Sequence, residues 1–143
     1  MNTSEQSRIM GHHQIPEKMM EGDLFSQWLG IIILLSEPGR CVLKMKVRKE
    51  MLNGFGILHG GVSFSLADSA FAFASNSQGR KSFSIDNSIS YLHKVQEGDE
   101  LMAEAKELSL TEKFGWYSVS LTNQENRVVA IFKGTVYRSK EIW

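Results

Sequence analysis

Asn53-Gly54-Phe55-Gly56-Ile57-Leu58-His59-Gly60-Gly61, continuing into Val62-Ser63-Phe64-Ser65-Leu66-Ala67-Asp68-Ser69-Ala70-Phe71-Ala72-Phe73-Ala74, is the stretch around which the chain is organised. Its first part is glycine-rich and reads as a turn. Its second part reads as a helix running to about Ser77, with Gly79 of Asn76-Ser77-Gln78-Gly79 as a C-terminal stop. The helical part holds no Lys, Arg or Glu, and Asp68 is its only charge. A helix apolar nearly all round belongs in the interior. A carboxylate there, with no cation three or four residues away, is costly to ionise.

Working outward, the segments before and after this helix read as strands. Upstream, Trp28 to Leu35 is rich in Ile and Leu, and Ser36-Glu37-Pro38-Gly39 is a turn. Arg40 to Arg48 alternates, with Cys41, Leu43, Met45 and Val47 on one face and Lys44 and Lys46 on the other. These segments make a hairpin, in which Cys41 is a small core residue. A short helix is expected over Pro16–Gln27, with Pro16 in its first turn. Residues 1–15 are polar and are expected to be a poorly ordered N-terminal segment, leaving residues 16–143 as a single domain.

Downstream, Ser82 to Leu92 carries the alternating set Phe83, Ile85, Asn87, Ile89 and Tyr91. Glu100 to Leu110 and Gly115 to Thr122 are separated by the turn Thr111-Glu112-Lys113, and Gln124-Glu125-Asn126 precedes a last strand from Arg127 to Tyr137. Short connections imply a mainly antiparallel sheet. The fold class is therefore α+β, one buried helix against an antiparallel β-sheet.

Composition narrows the function. The 143 residues are 42% hydrophobic and 22% charged, ordinary for a globular protein. Sixteen basic and sixteen acidic side chains cancel, so no global charge points to nucleic acid or an anionic membrane. One cysteine rules out an intramolecular disulfide and suits a reducing compartment. The N-terminus shows no signal-peptide pattern, and the longest apolar run is far short of a membrane span. A cytoplasmic protein with no membrane partner is the expectation. His12 and His13 lack further ligands nearby, so no metal site is expected.

Gly60 and Gly61 stand where the long helix begins, so their N–H groups are among those a helix leaves unpaired and can receive an anion or a developing oxyanion. They can equally serve a tight turn into a packed helix. Asp68 is either a carboxylate held by Ser65, Ser69 or nearby backbone, or a general base or nucleophile whose pKa burial has raised. Eight residues of helix separate Gly60 from Asp68 by about 12 Å. An oxyanion donor and a base serving one carbonyl must each lie about 3 Å from it. If both are catalytic, each site takes Gly60 from one subunit and Asp68 from another.

Asn53-x-x-Gly56-x-x-His59-Gly60-Gly61, followed by Leu66-Ala67-Asp68 and Ala70-Phe71-Ala72, resembles the hotdog-fold acyl-CoA thioesterases of the PaaI (phenylacetic acid degradation) type. The resemblance runs from about residue 20 to Arg138 and includes Asn76-Ser77-Gln78-Gly79, the strand from Ser84 to Leu92, and Val129-Ala130-Ile131-Phe132-Lys133-Gly134. It implies a long central helix wrapped by a curved sheet, a homodimer with shared active sites commonly paired into a homotetramer, and hydrolysis of an acyl-CoA thioester to acid and coenzyme A without a metal or redox cofactor. It implies roles for Asp68 as general base or nucleophile, for the Gly60 N–H as oxyanion donor, and for His59 beside it. Asn53 would lie near the reacting centre and Ser84 would help position water. For coenzyme A the candidates are Arg80, Tyr91, Lys94, Lys113 and Arg138.

Two departures from the family pattern stand out. Gly22, in Glu21-Gly22-Asp23, occupies a position where some bacterial members carry an active-site asparagine, a contact that is lost here or taken over by Asn53. His93-Lys94 stands where the family often has Arg-Pro. Phe64, Phe71, Phe73 and Phe83 are pocket candidates, although most are better read as core; an aromatic lining would suit a phenylacetyl-like acyl group. No Ser lies in a Gly-x-Ser-x-Gly elbow and Cys41 lies in a strand, which disfavours a covalent serine or cysteine route. The alternatives are a hotdog-fold enoyl-CoA hydratase or dehydratase, for which no Asp–His pair is evident, and a non-catalytic acyl-CoA-binding module.

Overall fold

The computed structural model describes residue 11 and residues 14–143. Two short helices, α1 (Gln14–Gly22) and α2 (Leu24–Leu29), lead into strands β1 (Ile32–Glu37) and β2 (Arg40–Lys46). A turn of 3-10 helix at Lys49–Met51 precedes the long helix α3 (Gly60–Asn76), and β3 (Arg80–Tyr91), β4 (Glu100–Leu110), β5 (Phe114–Thr122) and β6 (Val128–Ile142) follow. All six strands join one antiparallel sheet in the order β1-β2-β4-β5-β6-β3.

The α+β architecture is the one expected, a long helix against an antiparallel sheet. α3 buries Leu66, Ala67, Ala70, Phe71, Phe73 and Ala74 against Leu43 and Met45 of β2, Leu101 and Ala103 of β4, Val119 and Leu121 of β5, and Phe132 of β6. The alanines let the helix lie close to the sheet, while Phe71 fills the space beyond, with its ring centroid 5.7 Å from Tyr117 and 5.6 Å from Phe132. The expected alternation of β2 is observed: Cys41, Leu43, Met45 and Val47 are all buried. Burial raises the Cys41 thiol to about 12, which leaves it inert.

Room for Phe71 comes from Gly134 on β6. A Cβ at that position would lie 2.7 Å from Phe71 Cζ and 2.9 Å from Asn87 Oδ1. Gly134→Ala is expected to lower stability by about 1–3 kcal/mol through overpacking, read as a shift in urea midpoint at constant slope.

Several boundaries differ from the expected ones. The single helix over Pro16–Gln27 is two helices, because Asp23 leaves helical geometry (φ −90°, ψ 80°) and caps the second one, its carboxylate accepting from Ser26 N at 2.9 Å. Trp28 and Leu29 finish α2 rather than start a strand; Gly30 closes that helix in the left-handed region (φ +76°), so β1 begins only at Ile32. The polar segment assigned to residues 1–15 overlaps α1, which begins at Gln14 and buries Ile15; His12 and His13 lie outside the described residues. The strand after α3 does not pair with its sequence neighbour: β3 pairs only with β6, at the sheet edge, and the chain crosses over to β4 beside β2.

Edge position decides the environment of β3. Its apolar residues Phe83, Ile85 and Tyr91 are more than half exposed, at 56%, 57% and 55%. A strand with only one neighbour cannot cover them within one chain.

Candidate active site

The glycine-rich turn is a closed loop. Asn53 N donates to Ile57 O at 2.8 Å, and Asn53 Oδ1 accepts from Phe55 N at 2.9 Å and Ile57 N at 3.3 Å. The asparagine side chain thus bonds its own turn, as short polar side chains do. The loop delivers the chain to His59, whose backbone is extended and whose Nδ1 accepts the Gly61 N–H at 2.9 Å. That imidazole is the N-cap of α3.

One consequence separates the two glycines. The Gly61 N–H is taken by His59, whereas the Gly60 N–H meets no acceptor among the described residues. Tyr91, at the end of β3, donates its hydroxyl to Gly60 O at 2.8 Å and holds this peptide in place. A Cβ on Gly60 would sit 2.9 Å from the Tyr91 Cζ and hydroxyl oxygen, so only glycine fits here without displacing the ring. The free N–H opens on a cavity of about 450 Å³ lined by Asn53, Ile57, Gly60, Tyr91, His93 and Lys94, among others. A positively polarised helix end with one unpaired donor on a residue that lines a cavity is suited to a developing negative oxygen.

Asp68 lies two turns further along and opens on a different cavity, about 330 Å³, shared with Asp23, Phe25, Ser26, Phe64 and Ala72. Burial raises its carboxyl above the usual carboxylate range, and the negative charge of Asp23 adds to the shift. Neither serine beside it holds it: Ser65 Oγ donates to Gly61 O at 2.7 Å, and Ser69 Oγ is 2.7 Å from Ser26 Oγ. Ser26 Oγ in turn donates to Asp23 Oδ2 at 2.6 Å. The polar contact to Asp68 comes instead from β3, where Asn87 Nδ2 lies 3.4 Å from Asp68 Oδ1 and donates to Ser84 Oγ at 2.6 Å.

The predicted site residues thus fall into three places. Asn53, His59, Gly60, Tyr91 and Lys94 gather at the N-terminal end of α3. Asp68 and Ser84 are brought together in its middle, through Asn87. Arg80, Lys113 and Arg138 sit elsewhere, since the eleven steps of β3 from Arg80 to Tyr91 span about 36 Å. Arg80 is occupied there: Nε donates to Ser139 O at 2.7 Å, Nη2 to Arg138 O at 3.0 Å, and Nη1 pairs with Glu112. Arg138 donates to the Thr111 carbonyl, and its backbone N–H to Lys113 O. Within one chain, Lys94 alone of the proposed cations lines the Gly60 cavity.

Of the aromatic candidates, Phe71 and Phe73 are core, Phe64 lines the Asp68 cavity, and Phe83 lines an adjoining one of about 460 Å³ with Met19, Ala72 and Trp143. Gly22 is exposed with open space around it, and Asn53 faces the Gly60 cavity, so in one chain neither reaches Asp68. Sequence reading did not single out Asn87 or Asp23. The alternation of β3 put Asn87 among apolar neighbours, which was the available signal; Asp23 followed by Ser26 is an N-cap pattern. Among the described residues no three of His, Cys, Asp and Glu stand close enough to hold a metal ion, and no helix is long and apolar enough to cross a membrane.

Comparison with known proteins agrees with this geometry. The family model described as the thioesterase superfamily matches residues 55–130. The acyl-coenzyme A thioesterase PaaI of Escherichia coli is 39% identical over 120 residues, 84% of this chain and 86% of that protein. Human acyl-coenzyme A thioesterase 13 is 32% identical over 114 residues, covering 78% and 81% of the two chains. The solved structure of the E. coli PaaI protein from the phenylacetic acid degradation operon superposes with a TM-score of 0.88 at 37% identity, over 90% of this chain and 94% of that one. The matched residues take in the glycine turn, α3 with Asp68, and Ser84, and by them the chain belongs to the thioesterase superfamily, as a hotdog-fold thioesterase of the PaaI type.

Proposed function

We propose that this protein hydrolyses an acyl-CoA thioester to the free acid and coenzyme A, at sites shared between two subunits. The observation that carries the reading is the placement of Asp68 and the unpaired Gly60 N–H on one helix but in separate cavities. Neither cavity alone holds both an oxyanion donor and a base. Pairing two chains with their α3 helices side by side completes both. The exposed apolar residues of β3 support such pairing, since Phe83 and Ile85 have nothing over them in one chain. A homodimer is the smallest assembly this requires, and a homotetramer is compatible with it.

In this mechanism the thioester carbonyl accepts the N–H of Gly60 of the partner subunit. Asp68 either takes a proton from water as the water oxygen attacks the carbonyl carbon, or attacks that carbon itself to give an anhydride that water then opens. The carbonyl π electrons move to oxygen and are stabilised there. They return as the C–S bond breaks, and the coenzyme A thiolate departs with little acid assistance because it is a good leaving group. A carboxylate whose pKa is raised is a better base than an ordinary aspartate, and burial with Asp23 nearby acts in that direction. The reading needs no metal or redox cofactor. Lys94 is the cation placed to meet a coenzyme A phosphate at the Gly60 cavity.

An aromatic, phenylacetyl-like acyl group is the substrate class this reading favours. Phe64 beside Asp68, with Phe83 and Trp143 in the adjoining cavity, offers flat apolar walls. A thiol-release assay over aromatic and aliphatic acyl-CoAs, on wild type and Asp68→Asn, is the test. Release should be fastest with arylacetyl groups and should collapse in the variant. Hydration of an enoyl-CoA without thiol release would point to the hydratase reading, and binding without turnover to a carrier module.

A further inference from the structure

Asn87 is placed where packing alone does not explain it. It lies on β3 opposite Gly134 of β6, and its side chain reaches inward to α3. Its Nδ2 donates to Ser84 Oγ at 2.6 Å and lies 3.4 Å from Asp68 Oδ1. Its Oδ1 is buried and finds no donor among the described residues. A Cβ on Gly134 would come within 2.9 Å of that oxygen, so the opposing strand carries a glycine where the amide needs space. A half-satisfied buried amide is a poor choice for stability, and an apolar side chain of the same size would pack at lower cost.

We propose that Asn87 is a positioning residue of the hydrolytic centre, fixing Asp68 and Ser84 relative to one another and setting the direction of the Ser84 proton. The proposal rests on the reading of Asp68 as base or nucleophile. The amide has two N–H groups, enough to serve both neighbours from one atom. Because Ser84 Oγ accepts from Asn87, its own hydrogen is left to donate elsewhere, and the exposed face of Ser84 borders the cavity next to Asp68. A water held by that hydrogen would present its oxygen lone pair away from Ser84, as attack on a carbonyl requires. The donor on Asp68 also favours the ionised carboxylate, opposing the upward pull of burial and Asp23.

The test uses full-length Asn87→Leu and Asn87→Asp beside wild type and Asp68→Asn, with one acyl-CoA throughout. Asn87→Leu keeps the branched heavy-atom shape and removes both donors. Its kcat should fall roughly tenfold to a hundredfold with KM within about threefold, while its melting midpoint stays level or rises. The acid limb of its kcat/KM profile should move to higher pH, because the carboxylate has lost a donor. Asn87→Asp is isosteric and sets a second anion against Asp68, so its acid limb should move further in the same direction. The other charges nearby are Asp23 at the α1–α2 junction, with Asp86 on β3 and Lys133 on β6 lining the groove beside Asn87, and none is altered in these variants.

Wild-type kcat and an unmoved acid limb in both variants, with Asp68→Asn inactive, would overturn the role of Asn87 and leave the site standing. A fall in activity matched by a fall in melting midpoint, with no change in pH profile, would also overturn it, since that is the mark of a packing residue. Retained turnover in Asp68→Asn would remove the hydrolytic reading itself, and the inference with it.

Discussion

Asp68→Asn should lower kcat for thioester hydrolysis by two or more orders of magnitude, about the contribution of a positioned general base, with the fold intact. The same variant should melt higher than wild type near neutral pH. The sign follows from where the carboxyl titrates. In the unfolded chain Asp68 has its ordinary value of 3.8, and in the folded chain burial and Asp23 raise it. Below 3.8 both states are protonated and the group does not affect stability. Between that value and the raised one, the folded state holds the extra proton, so stability falls as pH rises; above the raised value the penalty is complete. An amide carries no such penalty. The advantage of Asp68→Asn should therefore be largest at neutral pH and vanish in acid, as measured by melting midpoint against pH alongside thiol release. Near-normal turnover in the folded variant would remove Asp68 from the mechanism.

The second large effect is a recovery. Homodimers of Asp68→Asn and homodimers of Gly60→Val should each be strongly impaired, the latter because a side chain at residue 60 meets the Tyr91 ring and breaks the hydroxyl contact that holds the Gly60 peptide. If each site draws Asp68 from one chain and Gly60 from the other, the mixed dimer has one site with both groups intact and one with neither. Random assembly of equal amounts gives half mixed dimers with one working site of two, so the pool should regain about a quarter of wild-type activity. Sites built within a single chain would carry one lesion each in every combination, and no activity would return. Co-expression with two different tags and purification through both leaves only mixed dimers, whose thiol release should be about half that of wild type, against none for sites built within one chain.

How much of this was legible in the sequence depended on whether the cause was local. The α3 helix is legible from its nearly all-round apolar composition, which matches its burial, and the β2 face from its alternation, with Cys41, Leu43 and Met45 buried. The break at Gly22-Asp23 has a local cause, a poor helix former followed by a capping carboxylate, yet one helix over Pro16–Gln27 is the expectation because the residues on either side of the pair are good helix formers. The pairing of β3 with β6 is a long-range choice that no short window records. For the candidate site, residue type and spacing single out Gly60 and Asp68, and the resemblance adds His59. The difference between Gly60 and Gly61 is not legible, because it depends on which N–H the His59 ring takes. Charge makes Arg80 and Arg138 candidates, but only the fold shows that part of each guanidinium donates to backbone carbonyls.

Residues 60 and 91 are distant in sequence, yet the hydroxyl that steadies the Gly60 carbonyl belongs to the same ring that leaves no space for a Cβ. The two positions therefore inherit as a unit. A lineage that shrinks Tyr91 first frees the turn before any new residue at 60 can use the gap, and one that enlarges residue 60 first meets the ring. Because one ring does both, a substitution at either position changes what the other can accept. The constraint at this corner is therefore on the combination, and variants made one at a time would not separate the two positions.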